Sequence, residues 1–476
     1  MEHFLAVLSY VLIVSAILIG ALIVLEKRNP AKTIAWLLVL IFLPVVGFIL
    51  YLLFGRDMRK KRLTRDKKEL DLSELEEESQ ISALEDRSPL VRRLIQLGET
   101  AAHAPVTLKN KVDIYVDGNP LFEAMLEDMK QATHHIHLAY YIVRDDELGR
   151  RVLDVLLERA RNGVTIRFMY DHVGSVFLPR RFRETLEQAG VEIVPILPVT
   201  FPIIGRKLNF RYHRKITIID GRIGYLGGFN IGNEYVGKNK RFGFWRDTHL
   251  RVEGEAVHSL QYVFREDWEF ASNKRFNGSA YFPAIDRSTV PFQKNTPMQL
   301  IASGPDSPIP AILHAILNMI GGAERRLWIA TPYLVPDESV LVALKTAALS
   351  GVDVRIVLPS FPDHKLVFYA STSYLGELLA SGVRVYRYRK GFLHAKVLLV
   401  DEDAVSVGTA NMDSRSFHLN FEANYLIYDP AIVKEMERRF EDDFLECAEV
   451  SLYHFLKRPI YQHVIESIAR LFSPIM

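Results

Sequence analysis

Two long uncharged runs open the chain. Residues 4–25, FLAVLSYVLIVSAILIGALIVL, and 33–54, TIAWLLVLIFLPVVGFILYLLF, contain no Asp, Glu, Lys or Arg. At about 1.5 Å rise per residue, a helix of either run can cross a hydrocarbon core about 30 Å thick. Pro44 falls in the second run, where a membrane helix tolerates a kink. The short connection EKRNPAK makes the two a hairpin, so residues 1–55 are assigned as a two-helix transmembrane hairpin. A cleaved signal peptide suits the first run less well. It has no basic leader, it is too long, and a second run follows at once.

The pattern then turns polar. Residues 56–105 read as a charged linker. RDMRKKRLTRDKK at 56–68 holds eight Lys/Arg against two Asp. Glu69, Asp71, Glu74, Glu76, Glu77 and Glu78 follow as an acidic patch, and LVRRLIQLGE predicts a short amphipathic helix. From about residue 106 strand and helix patterns alternate, and the succession occurs twice. HHIHLAYYIV, RRVLDVLLERARNG and VTIRFMYD read strand, helix, strand, as do RRLWIATPYLV, SVLVALKTAALSG and VDVRIVLP. LQYVFREDWEFA is matched later by MERRFEDDFLECA. A repeated α/β unit predicts two similar lobes, 106–285 and 286–447, with mainly parallel sheets and helices on both faces. In residues 448–476 a helix pattern starts at Pro459, with Ile460, Val464, Ile468, Leu471 and Phe472 on one face. Packing on the core is the favoured reading of that face, and lying in a membrane interface is the alternative.

Charge sets the orientation. The basic flank at 56–68 outweighs the hairpin loop, so the positive-inside rule places that flank, and the lobes after it, in the cytoplasm. The flank also suits anionic headgroups. Overall, 59 Lys+Arg balance 57 Asp+Glu, which does not indicate a protein that coats nucleic acid. Cys447 is the single cysteine, which excludes an internal disulfide and a Cys-rich metal site.

The chemistry lies in a stretch that occurs twice. Residues 210–230, FRYHRKITIIDGRIGYLGGFN, carry His213, Lys215, Asp220, Gly227, Gly228 and Asn230. Residues 391–411, GFLHAKVLLVDEDAVSVGTAN, carry His394, Lys396, Asp401, Gly408, Thr409 and Asn411 at the same spacing. RKITIID and AKVLLVD read as buried strands. Residues two apart share a strand face, so each His projects beside its Lys. A nucleophile or acid–base group next to a fixed cation suits a phosphate diester. Each Asp lies seven positions past its His, an odd number, and is expected at a strand end, fixing the turn.

These paired motifs, with GGFNIGNEY and GTANMDSRSFHLNFE after them, resemble the phospholipase D superfamily, and within it the bacterial cardiolipin synthase branch. The resemblance runs over nearly the whole chain. It implies that His213, Lys215, Asp220, His394, Lys396 and Asp401 meet in one catalytic site. It implies phosphatidyl transfer between two phosphatidylglycerols through a phosphohistidine, giving cardiolipin and glycerol. By the same analogy His213 is the nucleophile and His394 the acid–base, with Lys215 and Lys396 on the non-bridging oxygens. Asn230 and Asn411, with the backbone at Gly228 and Thr409, add phosphate donors. Asp247 and Glu422 stand 34 and 28 residues past His213 and His394, where a downstream carboxylate of the superfamily orients the His. No metal and no other cofactor is expected, because four charged or amide donors replace one. The implied partners are phosphatidylglycerol, other phospholipids and the membrane, not nucleic acid. The implied location is the bacterial inner membrane. The alternatives are a phospholipase D releasing phosphatidic acid and a membrane-anchored lipid-binding scaffold.

Further features enter with less chemistry. His135 and His137 share a strand face but His134 does not, and no acidic or cysteine ligand set accompanies them. Tyr140, Tyr141 and Tyr333 follow matching strands and suit either a lipid path or the core. The lobes differ before the motif: 23 residues separate Gly190 from His213, and 12 separate Gly382 from His394. The extra segment, near 198–210 with Phe201, Ile203 and Ile204, is read as a loop contacting lipid.

Overall fold

The computed structural model describes residues 86–199, 209–284 and 296–473, and before them residues 30–43 and positions 20, 46, 47, 51 and 84. The chain divides into two units, one of residues 1–65 with 198–210 and one of 66–197 with 211–476. In the first unit the described helix is α1 (Pro30–Phe42). Trp36 and Tyr51 meet there edge to face at 5.4 Å between ring centroids. Among the described residues no helix is long and apolar enough to cross a membrane. Most of the two uncharged runs, the basic flank and positions 201–208 lie outside the described residues.

The second unit carries the motifs. It begins with α2 (Pro89–Ala102), then β1 (Val106–Thr107), β2 (Asn110–Tyr115), α3 (Gly118–Lys130), β3 (His135–Tyr140) and α4 (Glu147–Arg161). Next come β4 (Thr165–Asp171), α5 (Arg180–Gln188), β5 (Glu192–Ile196), β6 (Arg211–Tyr212), β7 (Ile216–Ile219), β8 (Ile223–Gly227), β9 (Phe244–Arg246), β10 (His249–Gly254) and α6 (Ala256–Ser272). The chain continues through β11 (Met298–Ser303), α7 (Ala311–Gly321), β12 (Arg326–Ala330), β13 (Leu334–Val335), α8 (Glu338–Leu349), β14 (Asp353–Pro359), α9 (Lys365–Ser373) and α10 (Leu375–Ala380). It ends with β15 (Arg384–Tyr388), β16 (Gly391–Leu393), β17 (Val397–Val400), β18 (Ala404–Gly408), β19 (Met412–Asp413), α11 (Ser414–His418), β20 (Asn420–Ile427), α12 (Pro430–Leu445), β21 (Cys447–Glu449), α13 (Leu452–Leu456) and α14 (Ile460–Arg470).

Two sheets result. The first runs β2-β10-β8-β7-β3-β4-β5, and the second β1-β11-β20-β18-β17-β12-β14-β15-β21. Both are mixed, which corrects the expectation of mainly parallel sheets. Along these two runs only β3·β4, β4·β5, β12·β14 and β14·β15 pair in parallel. These are the strands joined through helical crossovers. The motif strands instead turn straight back: Asp220–Arg222 joins β7 to β8, and Asp401–Asp403 joins β17 to β18. A three-residue turn can only connect antiparallel neighbours. The alternation of helix and strand in the sequence therefore holds for three strands of each sheet, β3, β4 and β5 in the first and β12, β14 and β15 in the second.

Each sheet has its own apolar cluster, one around Leu138, Phe168 and Tyr225, the other around Ile329, Val354 and Leu398. The amphipathic LVRRLIQLGE stretch is α2, capped by Ser88 at the Val91 N–H. Its Leu90, Val91, Leu94 and Ile95 enter the second cluster. Each such side chain is worth about 1.5–3 kcal/mol on burial, so α2 is fastened to the second sheet rather than trailing as a linker.

At the other end α14 reverses the expected packing. Its inner face is Glu466 and Ala469, and Arg458 binds Glu466 through both guanidinium nitrogens at 2.6 and 2.9 Å. Arg470 lies over the Tyr374 ring and donates to Glu377 at 2.8 Å. Ile460, Val464, Ile468 and Leu471 are 81, 52, 53 and 78% exposed. The apolar stripe reads as a core face only if the surface it meets is apolar, and Glu377 and Arg458 make that contact polar instead.

Candidate active site

Two short strands bring the motifs of the two halves together. β6 pairs in parallel with β20, setting Tyr212 against Phe421. β16 pairs in parallel with β9, setting Leu393 against Arg246. One residue further on, His213 N–H donates to the Phe421 carbonyl at 3.0 Å and His394 N–H to the Arg246 carbonyl at 2.7 Å. The β16·β9 approach demands glycine at 391, where a Cβ would lie 2.0 Å from the Phe244 carbonyl oxygen.

That register crosses the carboxylates. Glu422 of the second half holds His213, with its oxygens 2.9 and 3.0 Å from Nδ1. Asp247 of the first half holds His394 Nδ1 at 2.7 Å. Residues 213 and 422 are 209 apart in sequence, and 247 and 394 are 147 apart. The expectation that each carboxylate serves the His upstream in its own lobe is therefore corrected. The residues are the expected ones, but the pairing is exchanged, because a strand of two or three residues, Arg211–Tyr212 or Gly391–Leu393, ties each His to the opposite half.

The supporting positions fall into place around these pairs. Thr409 Oγ1 donates to Glu422 Oε2 at 2.5 Å, and Asn420 Nδ2 to Oε1 at 3.1 Å. Gly228, the counterpart of Thr409, leaves room for the other carboxylate, since a Cβ there would sit 1.9 Å from Asp247 Oδ1. Asn230 accepts from the Ile142 N–H at 3.0 Å and donates to the Tyr235 hydroxyl at 3.0 Å. Asn411 N–H donates to Ser416 Oγ at 3.1 Å, and its Oδ1 is buried without a protein partner. Lys215 Nζ donates to the His213 carbonyl at 2.6 Å, and Lys396 Nζ lies 2.8 Å from His394 Nδ1. Tyr141 and Tyr333 flank the pair, with ring centroids 5.2 Å from His213 and 6.4 Å from His394. Tyr140 is a core residue, bonded to Thr217 at 2.8 Å.

Asp220 and Asp401 stand apart, at the far ends of β7 and β17. Asp220, at φ 53°, accepts from the N–H groups of Thr133, His134 and His135 at 2.8 Å each. Asp401, at φ 48°, accepts from those of Glu324, Arg325 and Arg326 at 2.8–2.9 Å. Each carboxylate ties the motif turn to the start of the neighbouring strand and contacts neither His. Their grouping with the catalytic residues is corrected to a positioning role, as the odd spacing implied.

Two buried Arg–Asp clamps were not evident in the sequence. Arg214 binds Asp267 at 2.5 Å and the Glu422 carbonyl at 3.0 Å. Arg246 binds Asp443 at 2.8 and 2.6 Å. Asp267 and Asp443 hold matching places in REDWEFA and EDDFLECA, and that match was the available signal. The His triplet forms a separate network. His135 and His137 share Gln261, and Arg167 reaches His137 Nε2 at 3.3 Å. Among the described residues no group of His, Cys, Asp and Glu is arranged to hold a metal ion.

Burial governs the electrostatics. It pushes His213 down to about 4, against the pull of Glu422, with Lys215 adding to the fall. It pushes His394 down to about 4 as well, with Lys396 adding and Asp247 opposing. Lys215 falls to about 7 and Lys396 to about 8, again through burial, only partly offset by Glu422 and Asp247. Burial alone would raise both carboxylates, but the neighbouring Lys and His carry Asp247 and Glu422 below their ordinary values. The site thus holds two neutral imidazoles fixed at Nδ1, two carboxylates, and two lysines that lose their charge between about 7 and about 8.

A fold of two mixed sheets with a paired His-x-Lys cleft is the phospholipase D arrangement. The solved phosphatidylserine synthase of Haemophilus influenzae is similar in fold at a TM-score of 0.61, with 14% identity, over 81% of this chain and 100% of that one. A family model described as cardiolipin synthase, PLD-like domain, matches residues 125–268 and 316–444. A phospholipase D-nuclease N-terminal model matches residues 7–56. Cardiolipin synthase 2 of Bacillus cereus is 46% identical over 97% of this chain and 90% of its own length. The major cardiolipin synthase of Bacillus subtilis is 42% identical over 98% of both. The chain belongs to the cardiolipin synthase family with phospholipase D-like domains.

Proposed function

We propose that this chain is a phosphatidyltransferase that joins two phosphatidylglycerols into cardiolipin and releases glycerol. The observation that carries the reading is the pair of neutral His, each held at Nδ1 by a carboxylate from the opposite half of the site. Fixing Nδ1 leaves Nε2 of each ring for attack or proton transfer.

His213 Nε2 attacks phosphorus, and the bond to the headgroup glycerol breaks. His394, neutral in the empty site, takes up a proton at Nε2 as the diester anion binds and gives it to the departing oxygen. The neutral His394 then takes the proton of the incoming hydroxyl, whose oxygen displaces His213. One phosphodiester replaces another, so no nucleotide is consumed. Lys215 and Lys396 stabilise the charge that gathers on the non-bridging oxygens. Asn411 supplies a further donor, whereas the N–H groups of Gly228 and Thr409, expected to do so, are already given to the Thr248 and Ala423 carbonyls at 2.9 and 3.0 Å. Asp247 and Glu422 stabilise each imidazole when it carries charge.

The lobes 106–285 and 286–447 work as one catalytic unit, behind a membrane hairpin at 1–55 and the segment 56–105. The basic flank at 56–68 supports placing that unit on the cytoplasmic side of a bacterial membrane. The test is turnover of headgroup-labelled phosphatidylglycerol by the full-length protein in detergent. Cardiolipin with released glycerol, absent in His213→Ala and His394→Ala, supports the reading. Phosphatidic acid alone makes the chain a hydrolase.

A further inference from the structure

Two exposed apolar elements stand at the same end of the two sheets, one beside each catalytic His. In the first half, β4 ends at Asp171, and the turn after it exposes Val176 at 63% and Phe177 at 76%. In the second half the matching strand β14 ends at Pro359, and the start of α9 exposes Leu366 at 48%. A solvated position for Phe177 is costly, and two such positions related by an internal repeat are not scattered surface residues.

Both elements are tied to the site. Asp171 accepts from the Tyr212 N–H at 2.8 Å, immediately before His213, and from the turn's own Val173 and Gly174 N–H groups. Ser175 of the turn donates to the carbonyl of Tyr141, whose ring lies against His213. On the other side the Tyr333 hydroxyl, next to His394, donates to Asp363 just before α9. α14, packed along α9, extends the second element with the exposed Val464, Ile468 and Leu471. Cations stand beside both elements: Arg144 lies 5.5 Å from the Phe177 ring and pairs with Glu234, Arg180 pairs with Glu184 at the start of α5, and Lys365 is exposed at the start of α9.

We propose that the 172–179 turn and the α9–α14 pair form one rim that seats the active-site mouth on an anionic phospholipid surface. The proposal rests on the reading that the substrates are two-chain lipids. Such lipids cannot leave the bilayer without exposing their chains, so the mouth must meet the membrane, and where it does the rim is apolar and carries the exposed cation Lys365, which suits an anionic headgroup. Membrane anchoring elsewhere in the chain does not supply this seating, which sets how the cleft faces the lipid rather than whether the protein is bound.

The test uses the full-length protein in vesicles of phosphatidylglycerol and phosphatidylcholine. In a Cys447→Ser background, an environment-sensitive fluorophore is placed by Phe177→Cys, Leu366→Cys or Ile468→Cys. Leu349→Cys is the control, exposed at 72% but at the opposite end of the sheet. Brominated lipid quenches the first three and spares the control if the rim sits in lipid. Equal quenching at all four overturns the proposal, as does a rim label shielded from both brominated lipid and aqueous iodide, which means protein covers it. In parallel, Val176→Ser with Phe177→Ser slows turnover in vesicles by about tenfold or more while leaving dispersed short-chain phosphatidylglycerol within about twofold. Equal rates on both substrates overturn the rim. Wild-type protein inactive on both overturns the reading beneath it.

Discussion

The crossed carboxylates make a sharp kinetic prediction. Glu422→Gln removes the charge that faces His213 Nδ1 at 2.9 and 3.0 Å. Thr409 and Asn420 still hold the replaced side chain, so the geometry survives and the charge is what changes. One charge-assisted hydrogen bond is worth about 1.5–3 kcal/mol, or about 10- to 150-fold in rate. If the amide also turns its NH2 toward Nδ1 and selects the wrong tautomer, the loss rises toward about 10⁴-fold. The assay is the single-turnover rate of covalent labelling in a His394→Ala background by a p-nitrophenyl phosphodiester, whose leaving group departs without an acid, so only His213 is at work. There Glu422→Gln slows labelling by about 10-fold or more, and Asp247→Asn, whose His is already gone, changes it by less than about threefold. The reverse pattern would mean that each carboxylate serves its own half, and would refute the exchanged pairing.

Other outcomes follow from the same geometry. Asp401→Asn weakens three bonds to backbone N–H groups while tolerating the φ of 48°; it costs about 2–3 kcal/mol of stability, read by denaturant unfolding, and leaves the kcat of the folded protein within about threefold. Asp220→Asn behaves alike. For pH, Lys215 at about 7 and Lys396 at about 8 are both cationic only below those values. kcat/KM therefore falls as pH rises through 7 to 8, and the acid limb waits until the nucleophile His213 protonates near 4. A bound diester anion holds the protons on the lysines, so the alkaline limb of kcat lies at higher pH than that of kcat/KM.

The active-site chemistry was legible because it is local and repeated. His213 and Lys215 share a face through strand periodicity, and the odd spacing to Asp220 correctly removed it from the His. The exchange of Glu422 and Asp247 was not legible. It depends on Arg211–Tyr212 and Gly391–Leu393, strands too short to leave a pattern, each paired with the other half. Mixed sheets were misjudged for a related reason: periodicity marks β7 and β17 as strands but not the direction of their neighbours. The stripe on α14 shows the converse limit. Ile460, Val464 and Ile468 mark an apolar face, but only the Arg458–Glu466 contact reveals that this face looks outward. Arg214 and Arg246 were hidden because an arginine beside a motif gives no sign of burial until its Asp partner is located.

The central claim is that transfer runs through a covalent bond to one His of a site completed by both halves. Its most direct test is to trap that bond. Full-length protein is mixed with phosphatidylglycerol labelled at phosphorus, rapidly quenched, digested and mapped. The account predicts label on the peptide carrying His213, and none in His213→Ala. Label on His394 in the wild type would reverse the two roles, and turnover with no covalent species on any rapid-quench timescale would contradict the account.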